Sequence, residues 1–236
     1  MDVAAPAEPG SAAQPLRRSF RLALSFAVLL WLVRVTDSLL GLDLVRFGVH
    51  PRTLDGLWGI LWAPLIHGSF SHIFANTAPL IVLGTALLYG YPRAARMALP
   101  AIYLGSGLGV WLFGRSAYHI GASGLTFGMM FFVFTIGALR WDKKAIALSL
   151  IVFFLYGGMI WGIFPTNPDI SFEYHFFGAV LGVAMAVLLK NKDPAPPRKQ
   201  YSWEQEQEDD EDDPNELMDL FPPQPEIGRR DPHRLN

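Results

Sequence analysis

Residues 145–164 read AIALSLIVFFLYGGMIWGIF, a stretch that is apolar on almost every face a helix could present. A helix at the surface of a soluble domain keeps a polar face at a period of 3.6 residues, and this stretch shows almost none. About 20 apolar residues are enough for a helix to cross the hydrocarbon core of a bilayer, which is about 30 Å thick. The stretch therefore predicts a transmembrane helix.

Five further apolar stretches predict the same structure. They cover residues 20–42, 69–91, 95–114, 122–140 and 172–190. Each is expected to be an α-helix, because a backbone inside hydrocarbon must satisfy its own hydrogen bonds. The first stretch could also be a signal peptide, but it is longer than the usual apolar run of about 7–15 residues and no small-x-small cleavage site follows it. The sequence thus predicts an all-α membrane protein, a bundle of six transmembrane helices over residues 20–190.

The average composition hides this organisation. The chain is 51% hydrophobic and 17% charged, with a net charge of −2. Residues 1–190 carry 13 Lys/Arg against 8 Asp/Glu, whereas residues 191–236 carry 6 against 13. A pI near 6.3 argues against nucleic acid as a partner. The absence of cysteine excludes disulfides, thiolate metal ligands and thiol nucleophiles.

Lysine and arginine are enriched on one side of the predicted bundle. Six spans place both termini and the loops near residues 93–96 and 140–144 on the same side, with 12 Lys/Arg between them. The other side has only Arg46, Arg52 and Arg115. The positive-inside rule therefore predicts that both termini are cytoplasmic.

The segments outside the six spans are polar or interfacial. Residues 1–19 are rich in Ala, Pro and Gly, and residues 191–236 are acidic and rich in Pro, so both predict disordered cytoplasmic tails. The acidic tail is expected to be a solvated spacer, with docking of a protein partner as the alternative. Residues 43–66 contain Trp58 and Trp62 and predict a loop that lies in or on the outer leaflet; a plain extracellular linker is the alternative.

Polar side chains at membrane depth are costly, so each is a candidate functional residue. Spans two, four and six run in the same direction, and each has such residues near its start: His72 and Asn76 in span two, Ser123 in span four and His175 in span six. At 1.5 Å per residue, these four lie within roughly 10 Å of one another along the membrane normal. His72 and Asn76 are four residues apart and therefore share a helix face.

Two other polar features do not predict a substrate pathway or a metal site. Arg34 and Asp37, three residues apart in span one, indicate an ion pair within the helix rather than a substrate pathway. His67 is five residues before His72 and points elsewhere, which argues against a His-x-x-x-His metal pair.

Glycines predict how spans four and six pack. Two segments each carry a pair of glycines four residues apart. The pairs are Gly124 and Gly128 in GASGLTFG (121–128), and Gly178 and Gly182 in HFFGAVLG (175–182). Such patterns allow helix backbones to approach closely in membranes. Packing through these glycines would bring Ser123 and His175 together at the outer end of the contact.

A serine beside a histidine is the minimum for nucleophilic acyl transfer, since the imidazole takes the hydroxyl proton and returns it to the leaving amine. Ser123 opens a helix, where free backbone N–H groups favour a developing oxyanion, and His72 and Asn76 could donate to the same oxygen. No carboxylate is expected at this depth on these faces, so the pattern predicts a Ser–His dyad. Taken singly, Ser123 could be a helix cap, His175 an interfacial histidine and Asn76 a link between helices.

At these residues the sequence resembles the rhomboid family of intramembrane serine proteases. The matching motifs are HGSFSHIFANT (67–77), GASG (121–124) and YHFFG (174–178), in this order on spans two, four and six. The resemblance covers about residues 20–190. It implies that Ser123 is the nucleophile and His175 the general base. It also implies that His72, Asn76 and the Ser123 backbone N–H stabilise the oxyanion.

The resemblance implies supporting residues as well. His67 would be a structural histidine, and Gly121, Gly124 and Gly178 would shape the site. Phe127 stands where many family members have a tyrosine that stacks on the catalytic histidine, so it keeps the ring and loses the hydroxyl. Tyr174 stands where many members have a small residue, and the Trp-Arg pair common in the family's first loop is not evident.

The implied activity is hydrolysis of peptide bonds in or near the transmembrane segment of single-span membrane proteins, without a metal or organic cofactor. Access would be gated by span five and residues 165–171, with the site opening to the outside of a bacterial plasma membrane. Two alternatives remain open from the sequence. A catalytically silent rhomboid-like chaperone or scaffold would need none of the four polar residues. A small transporter would be expected to show internal repeats or paired charges near the membrane centre.

Overall fold

Seven α-helices joined by short connections form the described part of the protein, which comprises residues 13–167 and 170–193 of a computed structural model. The helices are α1 (Ala13–Leu40), α2 (Leu54–Trp62), α3 (Phe70–Gly90), α4 (Pro92–Phe113), α5 (Ser123–Arg140), α6 (Lys143–Tyr156) and α7 (Phe172–Leu189). A 3-10 helix, Gly157–Ile163, continues α6 without a break. The described residues contain no β-strand beyond an isolated bridge between Val49 and His119.

Six of these segments are long and apolar enough to cross a membrane, which confirms the prediction of six spans in an all-α fold. They are Pro15–Leu40, Phe70–Gly90, Pro92–Phe113, Ser123–Arg140, Lys143–Ile163 and Phe172–Leu189. The main difference lies at the start. α1 begins at Ala13, so residues 13–19, predicted as part of the N-terminal tail, are helical. The rest of the two predicted tails, residues 1–12 and 194–236, lies outside the described residues.

Helix α5 is the centre of the bundle. Two thirds of its span is buried, against about a tenth of the span formed by α6 and its 3-10 extension. Its side chains Met129, Phe132 and Ile136 are at most 2% exposed and pack with residues of α3, α4 and α7. A helix that is apolar all round can be buried on every side, and α5 takes that position.

Glycines allow α5 and α7 to pack backbone against backbone. A β-carbon built on Gly178 would lie 2.1 Å from the carbonyl oxygen of Gly124, and one on Gly182 would lie 2.2 Å from that of Gly128. Contacts this close exclude any side chain. The predicted packing of spans four and six through these four glycines is confirmed, and we call this contact the glycine seam.

The connection between α1 and α3 folds into a 3-10 turn, helix α2 and a second 3-10 turn. Thr53 caps α2 by accepting a hydrogen bond from the Gly56 N–H. Trp58 and Trp62 are 67% and 50% exposed on its outer face. Exposed tryptophans of this kind are typical of a segment that lies at a membrane interface.

The charged pair in α1 behaves as predicted. Arg34 Nη1 lies 2.8 Å from Asp37 Oδ2, and Asp37 Oδ1 accepts a hydrogen bond from the Leu44 N–H. Both side chains are buried or nearly so. The pair thus fixes the end of α1 to the following turn and confirms the ion pair predicted within the helix.

Candidate active site

A cavity of about 670 Å³ lies where α3, α5 and α7 begin. Its lining includes all four polar residues that the sequence placed at one depth, namely His72, Asn76, Ser123 and His175. Cavities of about 300–1,000 Å³ are typical of ligand-binding sites. The structure therefore brings together, in one cavity, four residues from three helices.

Ser123 is the first residue of α5 and is 7% exposed. The turn before it depends on Gly121, whose φ of +106° suits glycine rather than an L-residue. A β-carbon on Gly121 would lie 2.7 Å from His72 Nε2, so the imidazole packs directly on this turn. The start of α5 leaves backbone N–H groups without partners inside the helix, beside the Ser123 hydroxyl.

His175 is held by two contacts from different helices. Its Nδ1 lies 2.8 Å from the carbonyl oxygen of Gly162, in the 3-10 extension of α6. Its ring stacks on Phe127, with centroids 4.1 Å apart and planes 7° apart. Because a carbonyl oxygen can only accept, Nδ1 carries the proton in the neutral ring. The other nitrogen, Nε2, therefore has the free lone pair that a general base needs.

His72 and Asn76 follow a helix start that is well capped. Ser69 caps α3 by accepting the His72 N–H at 3.1 Å. One turn later, Asn76 Nδ2 donates to the His72 carbonyl oxygen at 3.0 Å. An amide nitrogen has two hydrogens, so one remains for a further acceptor. Both side chains line the cavity that contains Ser123.

His67 lies behind the serine rather than in the cavity lining. It is 1% exposed, and its Nε2 accepts the Ala122 N–H at 3.4 Å, next to the serine. Its ring makes an edge contact with His72 at 4.9 Å between centroids. Burial, with a smaller effect from nearby His72, lowers the pKa of His67 to about 3. A neutral imidazole at this position can accept the backbone N–H, as a structural histidine would.

Tyr174 fills space that glycine leaves free. Its ring is fully buried, and a β-carbon on Gly124 would lie 2.3 Å from ring atom Cδ1. The tyrosine therefore packs against the backbone of the residue after Ser123. The large side chain before His175 is accommodated without displacing the histidine from the cavity.

A polar cluster at the edge of the cavity, in which His119 and Glu173 are buried, was not among the candidates from the sequence. It consists of Arg115, His119, Ser171 and Glu173, and we call it the polar clamp. Glu173, two residues before His175, is 6% exposed. Glu173 is a carboxylate near this depth, but it pairs with Arg115 while His175 Nδ1 pairs with the Gly162 carbonyl, so it does not complete a triad with His175. The sequence signal that could have identified this cluster is Glu173, an acidic residue two positions before His175.

The described residues, 13–167 and 170–193, contain no group of three or more His, Asp or Glu side chains arranged to hold a metal ion. Two of the imidazoles near the cavity are committed to protein contacts: His67 to the Ala122 N–H and His175 to the Gly162 carbonyl. The cavity lining offers hydroxyl, imidazole, amide and guanidinium side chains.

Together the six spans and this cavity define a polytopic membrane protein with a serine, a histidine and an asparagine at one end of its bundle. The Rhomboid domain model matches residues 54–192, and the chain belongs to the rhomboid family. The resemblance found in the sequence is thus confirmed.

Three curated proteins are similar to this chain. An uncharacterized protein of Mycobacterium tuberculosis is 41% identical over 186 residues, which is 75% of each chain. An uncharacterized protein of Mycobacterium leprae is 34% identical over 188 residues, 75% of this chain and 72% of that one. The RHOMBOID-like protein 2 of Arabidopsis thaliana is 28% identical over 156 residues, 62% of this chain and 45% of that protein.

Proposed function

We propose that the protein is an intramembrane serine endopeptidase that cleaves single-span membrane proteins in or near their transmembrane segment. Membership of the rhomboid family supports this class of activity. The observation that carries the proposal is the state of His175. Its Nδ1–H is committed to the Gly162 carbonyl, so its Nε2 is the free acceptor in a cavity that also contains the Ser123 hydroxyl.

In the proposed first step, His175 Nε2 accepts the Ser123 hydroxyl proton while Oγ bonds to the carbonyl carbon of the scissile peptide. The carbonyl π electrons move to oxygen and form a tetrahedral oxyanion. The proposed donors to that oxygen are the Ser123 backbone N–H, His72 and the free Nδ2 hydrogen of Asn76. Each well-placed donor of this kind is worth about 2.7–4 kcal/mol in the transition state.

The second step completes the reaction. His175 gives its proton to the peptide nitrogen, the C–N bond breaks, and the amine fragment leaves an ester on Ser123. A water molecule then attacks the ester, with its proton passing through His175 to the serine oxygen. The products are a carboxylic acid and an amine, and the dyad returns to its starting state.

The proposed setting is a bacterial plasma membrane with both termini in the cytoplasm, as the distribution of Lys and Arg predicts. In that orientation the cavity opens toward the external side. A peptide bond near the outer end of a substrate's transmembrane helix would then lie at the depth of the dyad.

The test is cleavage of a fluorogenic single-span substrate by the full chain reconstituted in liposomes. We expect Ser123→Ala and His175→Ala each to lower the rate at least about 1,000-fold. Ser149→Ala is a matched control, because Ser149 is equally buried on α6 but donates to the Val133 carbonyl, away from the cavity. Undiminished cleavage by Ser123→Ala would refute the proposed nucleophile.

A fluorophosphonate probe distinguishes a protease from a silent scaffold. The proposal predicts covalent labelling of the wild type and of Ser149→Ala, but not of Ser123→Ala. A protein that retains a co-reconstituted membrane client yet shows neither labelling nor cleavage would instead be a rhomboid-like chaperone or scaffold.

A further inference from the structure

The polar clamp lies where two irregular segments meet. The segment before Ser123, residues 115–122, is outside any helix, and so is the turn that precedes α7 and His175. The glycine seam fixes α5 against α7, but the two non-helical segments lie beyond the end of that seam. The relative position of the serine and the histidine therefore also depends on what holds the two segments together.

Glu173 joins the segments directly. Its Oε1 accepts the Arg115 backbone N–H at 3.3 Å, and its Oε2 lies 3.6 Å from Arg115 Nη1. Arg115 also donates from Nη2 to the Ile170 carbonyl at 2.8 Å. The carboxylate and the guanidinium thus tie the start of the serine loop to the first turn of the histidine helix.

His119 adds a second tie. Its Nε2 lies 3.0 Å from the Arg115 carbonyl and therefore carries a proton, so in the neutral ring Nδ1 accepts from the Ser171 hydroxyl at 2.6 Å. Burial lowers the pKa of His119, which favours this neutral form. The backbone of His119 also pairs with Val49 through two hydrogen bonds of 2.9 Å.

Stability alone is a poor explanation for this arrangement. Glu173 is 6% exposed, and its Oε2 makes no hydrogen bond within the described residues. Burying a carboxylate costs several kcal/mol, and an ion pair at such a site often stabilises a fold no better than apolar side chains do. The better-attested use of buried ionic groups is to specify one arrangement over its competitors. Here the arrangement specified is that of the two segments leading to Ser123 and His175.

We propose that Glu173 is a positioning residue for the dyad, which ties the segment before Ser123 to the turn before His175. The proposal rests on the proposed proteolytic function. Glu173 acts through Arg115 and His119 and takes no part in the bond changes.

The first test is steady-state proteolysis by Glu173→Gln in the reconstituted full chain. A displacement of about 1 Å between reacting groups can cost about 100-fold in rate, so we expect kcat to fall about 10- to 100-fold while KM stays within about twofold. Glu173→Asp keeps the charge and should recover part of the loss. Ser171→Ala removes only the hydroxyl beside His119 and should show the same split at a smaller size.

Asp37→Asn is the matched control. Asp37 is likewise a buried carboxylate that pairs with an arginine and accepts a backbone N–H, but it belongs to α1. It should lower the unfolding temperature in detergent without the kcat effect. Equal kcat losses in Glu173→Gln and Asp37→Asn, or an unchanged kcat in Glu173→Gln, would overturn the proposal.

Hydrogen exchange gives a measurement that does not need activity. Glu173→Gln should speed exchange of peptides covering residues 115–122 by at least about tenfold, whereas Asp37→Asn should leave them unchanged. If those peptides exchanged at the wild-type rate in Glu173→Gln, the proposal that Glu173 holds the two segments together would be overturned. If the wild type shows no Ser123-dependent cleavage, the proposed function fails, and the exchange result still decides whether Glu173 holds the two segments.

Discussion

Replacing Gly178 with alanine would place a methyl carbon 2.1 Å from the Gly124 carbonyl oxygen. Real β-carbons do not come within 3.0 Å of such atoms, so α5 and α7 must separate by about 1 Å at this point. The obstacle is backbone, and no side-chain rotation relieves it. Overpacking of this kind typically costs about 1–3 kcal/mol. Because the contact lies one residue from Ser123 and three from His175, a shift of about 1 Å there can lower kcat about 100-fold.

Thermal unfolding in detergent checks the predicted loss of stability, and cleavage of the single-span substrate checks the predicted loss of kcat. Gly105→Ala is the matched control, because its added carbon would meet only the tip of the Leu181 side chain on α7, at 2.6 Å. That tip can rotate away, so the control should keep most of its stability and activity. If Gly178→Ala folded normally with kcat within about twofold of the wild type, the glycine seam would not set the geometry of the dyad.

Three further outcomes follow from single contacts. Phe127→Tyr preserves the ring stacked on His175 and should keep kcat within about threefold, whereas Phe127→Ala loses the stack and should lower kcat about tenfold; steady-state cleavage checks both. The pKa of His67 is about 3 when folded and 6.5 in the unfolded chain, so unfolding takes up a proton between these values and stability rises with pH in that window, by up to about 1.4 kcal/mol per unit. His67→Gln should flatten this part of the unfolding-temperature curve, and an unchanged slope would contradict the assignment. Asp193 accepts two backbone N–H groups at the start of α4, so Asp193→Asn should cost about 1 kcal/mol in thermal unfolding.

The six spans and the shared depth of the four polar residues could be predicted because both follow from local rules. The length of an apolar run identifies a transmembrane span. The direction of each span follows from its position in the series of six. His72, Asn76, Ser123 and His175 then fall at one level through their distance from the start of each span. The glycine seam was predictable for a similar reason, since spacing alone puts small residues on one helix face.

Gly162 shows what such rules miss. Its backbone carbonyl accepts a hydrogen bond from His175. Because every residue has a backbone carbonyl, the residue type at this position could not predict the contact. Glu173 was missed for a geometric reason. Two residues along a helix correspond to a rotation of about 200°, which directs it away from the face of His175. Its partners Arg115 and His119 come from a segment whose path has no period.

The orientation of His175 and the nearby negative charge are supplied by different groups in this structure. In a Ser-His-Asp triad, a single carboxylate holds the imidazole tautomer and also stabilises the imidazolium. Here a neutral carbonyl, that of Gly162, holds the tautomer. The carboxylate of Glu173 sits at the first turn of α7, where Arg115 lies close enough to offset its charge. Because an ionised carboxylate is costly to bury without a partner, this separation keeps the negative charge beside a cation and still leaves Nε2 as the free acceptor in the cavity that Ser123 also lines.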